Sequence, residues 1–323
     1  MRNLGKQLIA ALVLAGLSGA ASAETWNLAT GYPDTNFHTE NIRWFADQVE
    51  KETGGALKIV VHSGASMFKV AELKRALRTG QVQAAEFILS SYGNEDPIYE
   101  ADSIPFLAVG AQEAKQLYDA QKPMLEKRFQ KEGIVSLYQV IWPGNSLYTA
   151  NPITRVSDLK GVKMRGQTPI VARLAELTGA VPVNVQFVEV PQAFATGVIT
   201  AMITAGSNGA ETQAWEYTKY YYDVSAYHPR NVVAVNARAW KALPEDVRAK
   251  VLEVAKRAEA RGWEKAVELQ KTSTATLAEH GMKVEQPSPE LLSGFKKIGD
   301  QIIAEWAKKA GPDGATLVQA MKK

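Results

Sequence analysis

The stretch from Asn41 to His62, NIRWFADQVEKETGGALKIVVH, changes period in its middle. Ile42, Phe45, Ala46 and Val49 recur at three- and four-residue steps, the spacing of one helix face, and the run stops at Gly54-Gly55. Leu57, Ile59 and Val61 then alternate, the spacing of one strand face. A helix followed at once by a strand, if repeated, defines a layered α/β fold.

The alternation does repeat. Leu73, Ala76 and Leu77 make the next helix face, ended by Gly80, and Val82 to Leu89 reads as a buried strand. Ala114, Leu117, Tyr118 and Leu125 predict another helix, and Ile134 to Trp142 a further strand after Gly133. A second series runs through a helix at Pro169 to Thr178, a strand at Val181 to Val185, a helix near Pro191 to Thr196 and a strand at Ile199 to Ile203. Leu243-Pro244-Glu245-Asp246 then opens a helical pattern that continues to Gly281, far beyond the usual helix of about 11 residues. Either Gly262 breaks it in two, or one helix bridges two lobes. The last helix starts at Ser288 as N-cap with Pro289 in its first turn, and it turns Phe295, Ile298 and Ile302 inward. No internal repeat or low-complexity segment is visible.

Arg2 and Lys6 precede an apolar run from Leu8 to Leu17, and Ala21-Ser22-Ala23 follows it, the pattern of a Sec signal peptide cleaved before Glu24. That run is short of the 18 or so apolar residues of a bilayer span, and no later stretch reaches that length. Without Arg2 and Lys6 the 37 Lys plus Arg fall to 35 against 34 Asp plus Glu, a net charge of +1. No basic stripe is present, so no nucleic-acid partner is expected. The chain has no cysteine, which excludes disulfides, thiolate nucleophiles and thiolate metal sites. Residues 24–323 exceed what one hydrophobic core usually organises, so two lobes are expected.

His38, His62, His228 and His280 are scattered, with no second metal ligand at a usable spacing, so no metal site is expected. There is no phosphate loop, nucleophile elbow or dinucleotide fingerprint, and no cofactor is expected. Polar and aromatic residues do recur just after strands, at Tyr32 to His38, Ser90 to Asn94, Trp142 to Tyr148 and Arg165 to Thr168. Ligands bind at that end of the strands in open α/β sheets. A serine hydrolase using Ser63 or Ser66 lacks a paired base, which leaves a binding protein ahead of an enzyme, and a sensor subunit open beside a transport subunit.

Several segments together resemble the periplasmic solute-binding subunits of TRAP transporters, the family of C4-dicarboxylate uptake. They are Phe45-Ala46-Asp47-Gln48-Val49 through Gly55, Glu72 to Gly80, Ile104-Pro105-Phe106-Leu107, Ser157 to Arg165 and Leu243 to Val247. The resemblance implies a two-lobed α/β periplasmic-binding-protein fold with a long helix bridging the lobes. The implied division is residues 24–143 plus about 231–270 for the first lobe, and about 144–230 plus 271–323 for the second. It further implies a monomer without catalysis that hands a small organic carboxylate to one small and one large membrane subunit.

In such proteins the arginine ending the Asp158-Leu159-Lys160-Gly161-Val162-Lys163-Met164-Arg165 stretch pairs with the ligand carboxylate, and Phe187 lines the cleft. A guanidinium suits that task because it offers two parallel donors. A second arginine of sialic-acid binders aligns with Asn145, the usual ligand-binding asparagine with Thr204, two polar cleft positions with Phe87 and Ile88, and an acid with Lys69. These replacements make the expected site less polar, with Lys69 as a possible second cation. The expected ligand is an aromatic or partly apolar acid stacked among Tyr32, Phe68, Tyr92, Trp142 or Phe187, with a C4-dicarboxylate or a hydroxy or keto acid as the alternative.

Overall fold

The computed structural model describes residues 23–322, so the expected signal segment lies outside the described residues except for Ala23. In chain order the elements begin β1 (Glu24–Ala29), α1 (Phe37–Glu52), β2 (Leu57–His62), α2 (Leu73–Thr79), β3 (Ala84–Ile88), α3 (Gly110–Lys131) and β4 (Ile134–Ile141). They continue β5 (Asn145–Thr149), β6 (Lys163–Arg165), α4 (Pro169–Leu177), β7 (Val181–Val183), α5 (Val190–Ala195), β8 (Ala201–Ala205), α6 (Gly206–Glu211) and β9 (Tyr220–Tyr222). Last come β10 (Arg230–Asn236), α7 (Ala237–Ala242), α8 (Glu245–Glu279), β11 (Lys283–Glu285) and α9 (Pro289–Met321).

The strands form two sheets, ordered β2-β1-β3-β10-β4 and β11-β9-β5-β8-β6-β7, and each sheet is the centre of one lobe. The opening stretch shows how the first is built. Asn36 caps α1 by accepting from the His38 amide at 3.1 Å, and α1 buries Ile42, Phe45, Ala46 and Val49. The Gly54-Gly55 turn then leads into β2, which pairs in parallel with β1 so that Ile59 meets Trp26 and Val61 meets Leu28. Trp26, Leu28, Phe45 and Val49 are fully buried, each removing about 1.5–3 kcal/mol worth of apolar surface from water. Strand β10 enters this sheet antiparallel between β3 and β4 after the chain has built most of the second lobe.

The chain crosses from the first sheet to the second between β4 and β5 and returns between β9 and β10. The two crossings are hydrogen-bonded to each other. Asn145 N donates to Tyr227 O at 2.9 Å, Ala226 N to Asn145 O at 2.8 Å and Trp142 N to Pro229 O at 2.7 Å. Gly144 permits this approach, since a Cβ there would stand 2.0 Å from Ser225 Oγ.

Helix α8 is the third connection. It is continuous through Gly262, which lies against β4 with Val140 Cγ2 only 2.5 Å from where its Cβ would be. Its beginning packs on α1 and β4, and its end on α6 and β11, so the long helix bridges the lobes. Helix α9 is capped by Ser288, bends at Gly311 (φ 63°, ψ −143°) and also touches both lobes. It reaches α4 through the Arg173–Glu305 pair, and Trp306 Nε1 donates to Pro97 O at 2.6 Å. Among the described residues no helix is long and apolar enough to cross a membrane.

Candidate ligand-binding cleft

A cavity of about 50 Å³ lies where the crossings bring the two lobes together. The first lobe contributes Tyr32, Val70, Ile88, Ser91 and Trp142, and the second Asn145, Arg165, Gln167, Gln186, Phe187, Thr204 and Asn208. Pro229, on the return crossing, completes the wall. One water needs roughly 10–15 Å³ by the same measure, so the space admits a small ligand.

Arg165 ends β6, where it pairs with Met202 of β8, and it is 5% exposed. Its Nε donates to Val185 O at 2.9 Å, which aims the guanidinium without neutralising it. Three Lys or Arg side chains are buried among the described residues: Lys74, Arg165 and Arg230. Lys74 pairs with Glu95 and Glu132, and Arg230 with Asp102, whereas Arg165 has no carboxylate within ion-pair distance among the described residues. Burial pulls its pKa down to about 10, partly offset by the nearby Tyr32, Tyr227 and Tyr217 hydroxyls and by Glu189, so it stays cationic at neutral pH. A buried charge without a counterion costs several kcal/mol, and an anion held between the lobes removes that cost.

The opposite wall is aromatic. The Tyr32 ring lies 5.1 Å from Trp142 and 5.7 Å from Phe187, the second contact joining the two lobes. Trp142 is held in place because its Nε1 donates to Asn231 Oδ1 at 2.9 Å, and Asn231 Nδ2 donates to the buried Glu86 at 2.9 Å. Burial raises the Tyr32 hydroxyl pKa, so the ring presents a neutral hydroxyl. Beyond Arg165, Asn208 Nδ2 donates to Thr204 Oγ1 at 2.8 Å.

Of the residues singled out from the sequence, Tyr32, Ile88, Trp142, Asn145, Arg165, Phe187 and Thr204 line this cavity. Phe87, Tyr92, Phe68 and Lys69 do not. Strand β3 alternates, so Ile88 faces the cleft while Phe87 faces the core, 5.3 Å from the Tyr92 ring. The Tyr92 hydroxyl donates to Val70 O at 3.1 Å and accepts from Lys74 N at 3.2 Å, which ties that ring to the first lobe. Phe68 packs on the core, and Lys69 is exposed one residue before Val70, which does line the cavity.

Sequence reasoning did not single out Val70, Ser91, Gln167, Gln186, Asn208 or Pro229. Ser91 and Gln167 fall in the strand-end segments already noted, and Gln186 stands next to Phe187. Asn208 carries a signal only once β8 and α6 are known to be contiguous, since it is one helical turn after Thr204.

Two lobes joined by paired crossings and a bridging helix, closing on an unpaired buried arginine, define a two-lobed solute receptor. The chain belongs to the bacterial extracellular solute-binding proteins, family 7, whose model matches residues 28–309. It is similar to the structure of DctP7, a Bordetella pertussis extracytoplasmic solute receptor binding pyroglutamic acid, with 44% identity and a TM-score of 0.92 over 93% of this chain and 100% of that one. A marine metagenome TRAP solute-binding protein specific for pyroglutamate is 36% identical, with a TM-score of 0.91 over 93% of this chain and 99% of that one. The C4-dicarboxylate-binding periplasmic protein DctP of Rhodobacter capsulatus is 30% identical over 63% of this chain and 62% of its own length. A solute-binding protein of Albidiferax ferrireducens is 28% identical over 54% of this chain, and the match spans 52% of that relative's length.

Proposed function

We propose that this chain is the periplasmic receptor of a TRAP-type transporter and binds a compact, partly apolar monocarboxylate of the pyroglutamate kind. The observation that carries the reading is Arg165, a buried cation facing between the lobes without an acid to pair with it among the described residues. In this reading the ligand carboxylate takes the two-donor edge of the guanidinium, and Tyr32, Trp142 and Phe187 cover the apolar part of the ligand. Closing about the crossings at residues 142–145 and 225–230 then buries the carboxylate and creates the surface that one small and one large membrane subunit recognise. The protein acts as a monomer, and its output is a shape change without turnover. The pyroglutamate-binding relatives support the ligand class.

A C4-dicarboxylate fits less well. Among the described residues Arg165 is the one cation lining the cavity, and Lys69 is exposed, so a second carboxylate there would be buried without a partner.

The test is a thermal-shift and calorimetry panel of pyroglutamate, benzoate, succinate and glucuronate. A ligand at 100 times its Kd stabilises the native state by about 2.7 kcal/mol, so pyroglutamate raises the melting temperature clearly. Succinate or glucuronate binding more tightly than both monocarboxylates overturns the proposed ligand class.

A further inference from the structure

Resting on that reading of the ligand, we infer that Thr204 and Asn208 form a reader for a cis-amide edge, and so select a lactam acid over its ring analogues. Both residues line the cavity. Thr204 is on β8, two residues beyond the Met202 that pairs with Arg165, and Asn208 follows one turn later on α6. Asn208 is 9% exposed, its Nδ2 donates to Thr204 Oγ1, and its Oδ1 is buried with no hydrogen-bond partner among the described residues. The Thr204 hydroxyl accepts that bond, so its own proton remains to be donated.

The pair therefore presents one donor and one acceptor side by side, while Arg165 fixes the carboxylate, which such a lactam acid carries on the ring carbon next to the N–H. A five-membered lactam has the complementary edge, because its ring forces the amide cis and sets the C=O and the N–H on the same side. The C=O accepts from Thr204 and the N–H donates to Asn208 Oδ1. Other unpartnered oxygens nearby are less distinctive. Gln167 Oε1 and the Tyr227 hydroxyl are also buried without a partner among the described residues, and of these two residues only Gln167 lines the cavity.

Calorimetry with three ring acids tests this. Pyroglutamate has both groups, 5-oxotetrahydrofuran-2-carboxylate replaces the N–H by a ring oxygen, and cyclopentanecarboxylate has neither. A site built to pair a buried acceptor rejects a ligand lacking the donor, so wild-type protein binds the lactam roughly ten-fold or more tightly than the lactone. Asn208→Leu brings that ratio to within about three-fold, and Thr204→Val weakens lactam and lactone but leaves cyclopentanecarboxylate within about two-fold.

The wild-type comparison needs no variant to fold. A lactone bound within about three-fold of the lactam by wild-type protein overturns the inference, as does an Asn208→Leu variant that keeps the wild-type ratio. Cyclopentanecarboxylate binding as tightly as pyroglutamate overturns it while leaving carboxylate binding intact. No binding of any of the three acids removes the monocarboxylate reading and this inference with it.

Discussion

Replacing Glu86 by Gln should flatten the dependence of stability on pH. Glu86 stands on β3 behind the aromatic wall, is 1% exposed, and accepts hydrogen bonds from the Thr30 hydroxyl and from Asn231 Nδ2. Burial pushes its pKa from the ordinary 4.5 up to about 7, and the two hydrogen bonds only partly oppose this. His38 Nδ1 lies 3.3 Å from Glu86 Oε1, the distance of an ion pair. Burial also drives the His38 pKa well down, so the ring is neutral and the contact supplies no cation.

Between pH 4.5 and about 7 the native state therefore keeps a proton that the unfolded chain has lost. The native state binds more protons in that window, so stability falls as pH rises through it, by about 1.4 kcal/mol per unit and on the order of 3 kcal/mol in all. Gln keeps the shape and one acceptor but cannot ionise. Other shifted groups, Glu100, Asp102 and Glu211 among them, bend the absolute curve, and the difference between wild type and variant isolates Glu86. Urea unfolding at half-unit steps from pH 5 to 8 measures it. Parallel curves for the two proteins would refute the reasoning.

Two further substitutions probe the lobes. Glu211 of α6 accepts from Thr35 Oγ1 at 3.0 Å and from Asn36 Nδ2 at 2.7 Å across the cleft, so Glu211→Ala should weaken ligand binding roughly three- to thirty-fold with little change in fold. Calorimetry checks this, and unchanged affinity means that the contact does not hold the closed form. At Gly262 a Cβ would meet Val140 Cγ2 at 2.5 Å, Val140 Cγ1 at 2.8 Å and Asn41 Nδ2 at 3.0 Å. Gly262→Ala should therefore destabilise by about 1–3 kcal/mol, although helix propensity alone favours Ala by about 1 kcal/mol. A variant more resistant to urea would contradict the close packing of α8 on β4.

What the sequence showed depended on the range of the interaction. Helix and strand periods around Asn41 to His62 are local, and α1 and β2 follow them. Whether Gly262 ended the long helix was not local, because the answer lies in Val140, which removes the room for any side chain there. The insertion of β10 between β3 and β4 pairs segments far apart in the chain, and no period announces it. Within the cleft, Arg165, Asn145 and Thr204 stand at strand ends, where position alone suggests a ligand. Phe87 illustrates the limit: a one-residue slip on a strand exchanges the cleft face for the core face, so Ile88 lines the cavity and Phe87 does not. Asn208 was illegible because its meaning comes from an unpaired oxygen, which only side-chain packing reveals.

The measurement closest to the central claim is the affinity of Arg165→Ala and Arg165→Lys for pyroglutamate, by calorimetry, with circular dichroism confirming that both are folded. If Arg165 is the counterion, Ala leaves a buried carboxylate unpaired and costs about 2–5 kcal/mol, roughly thirty-fold to several-thousand-fold in Kd. Lys also binds clearly more weakly than wild type, because an ammonium keeps the charge but not the planar pair of donors. A folded Ala variant that binds within about three-fold of wild type would contradict the account, since a difference below about 0.7 kcal/mol is what an exposed ion pair contributes.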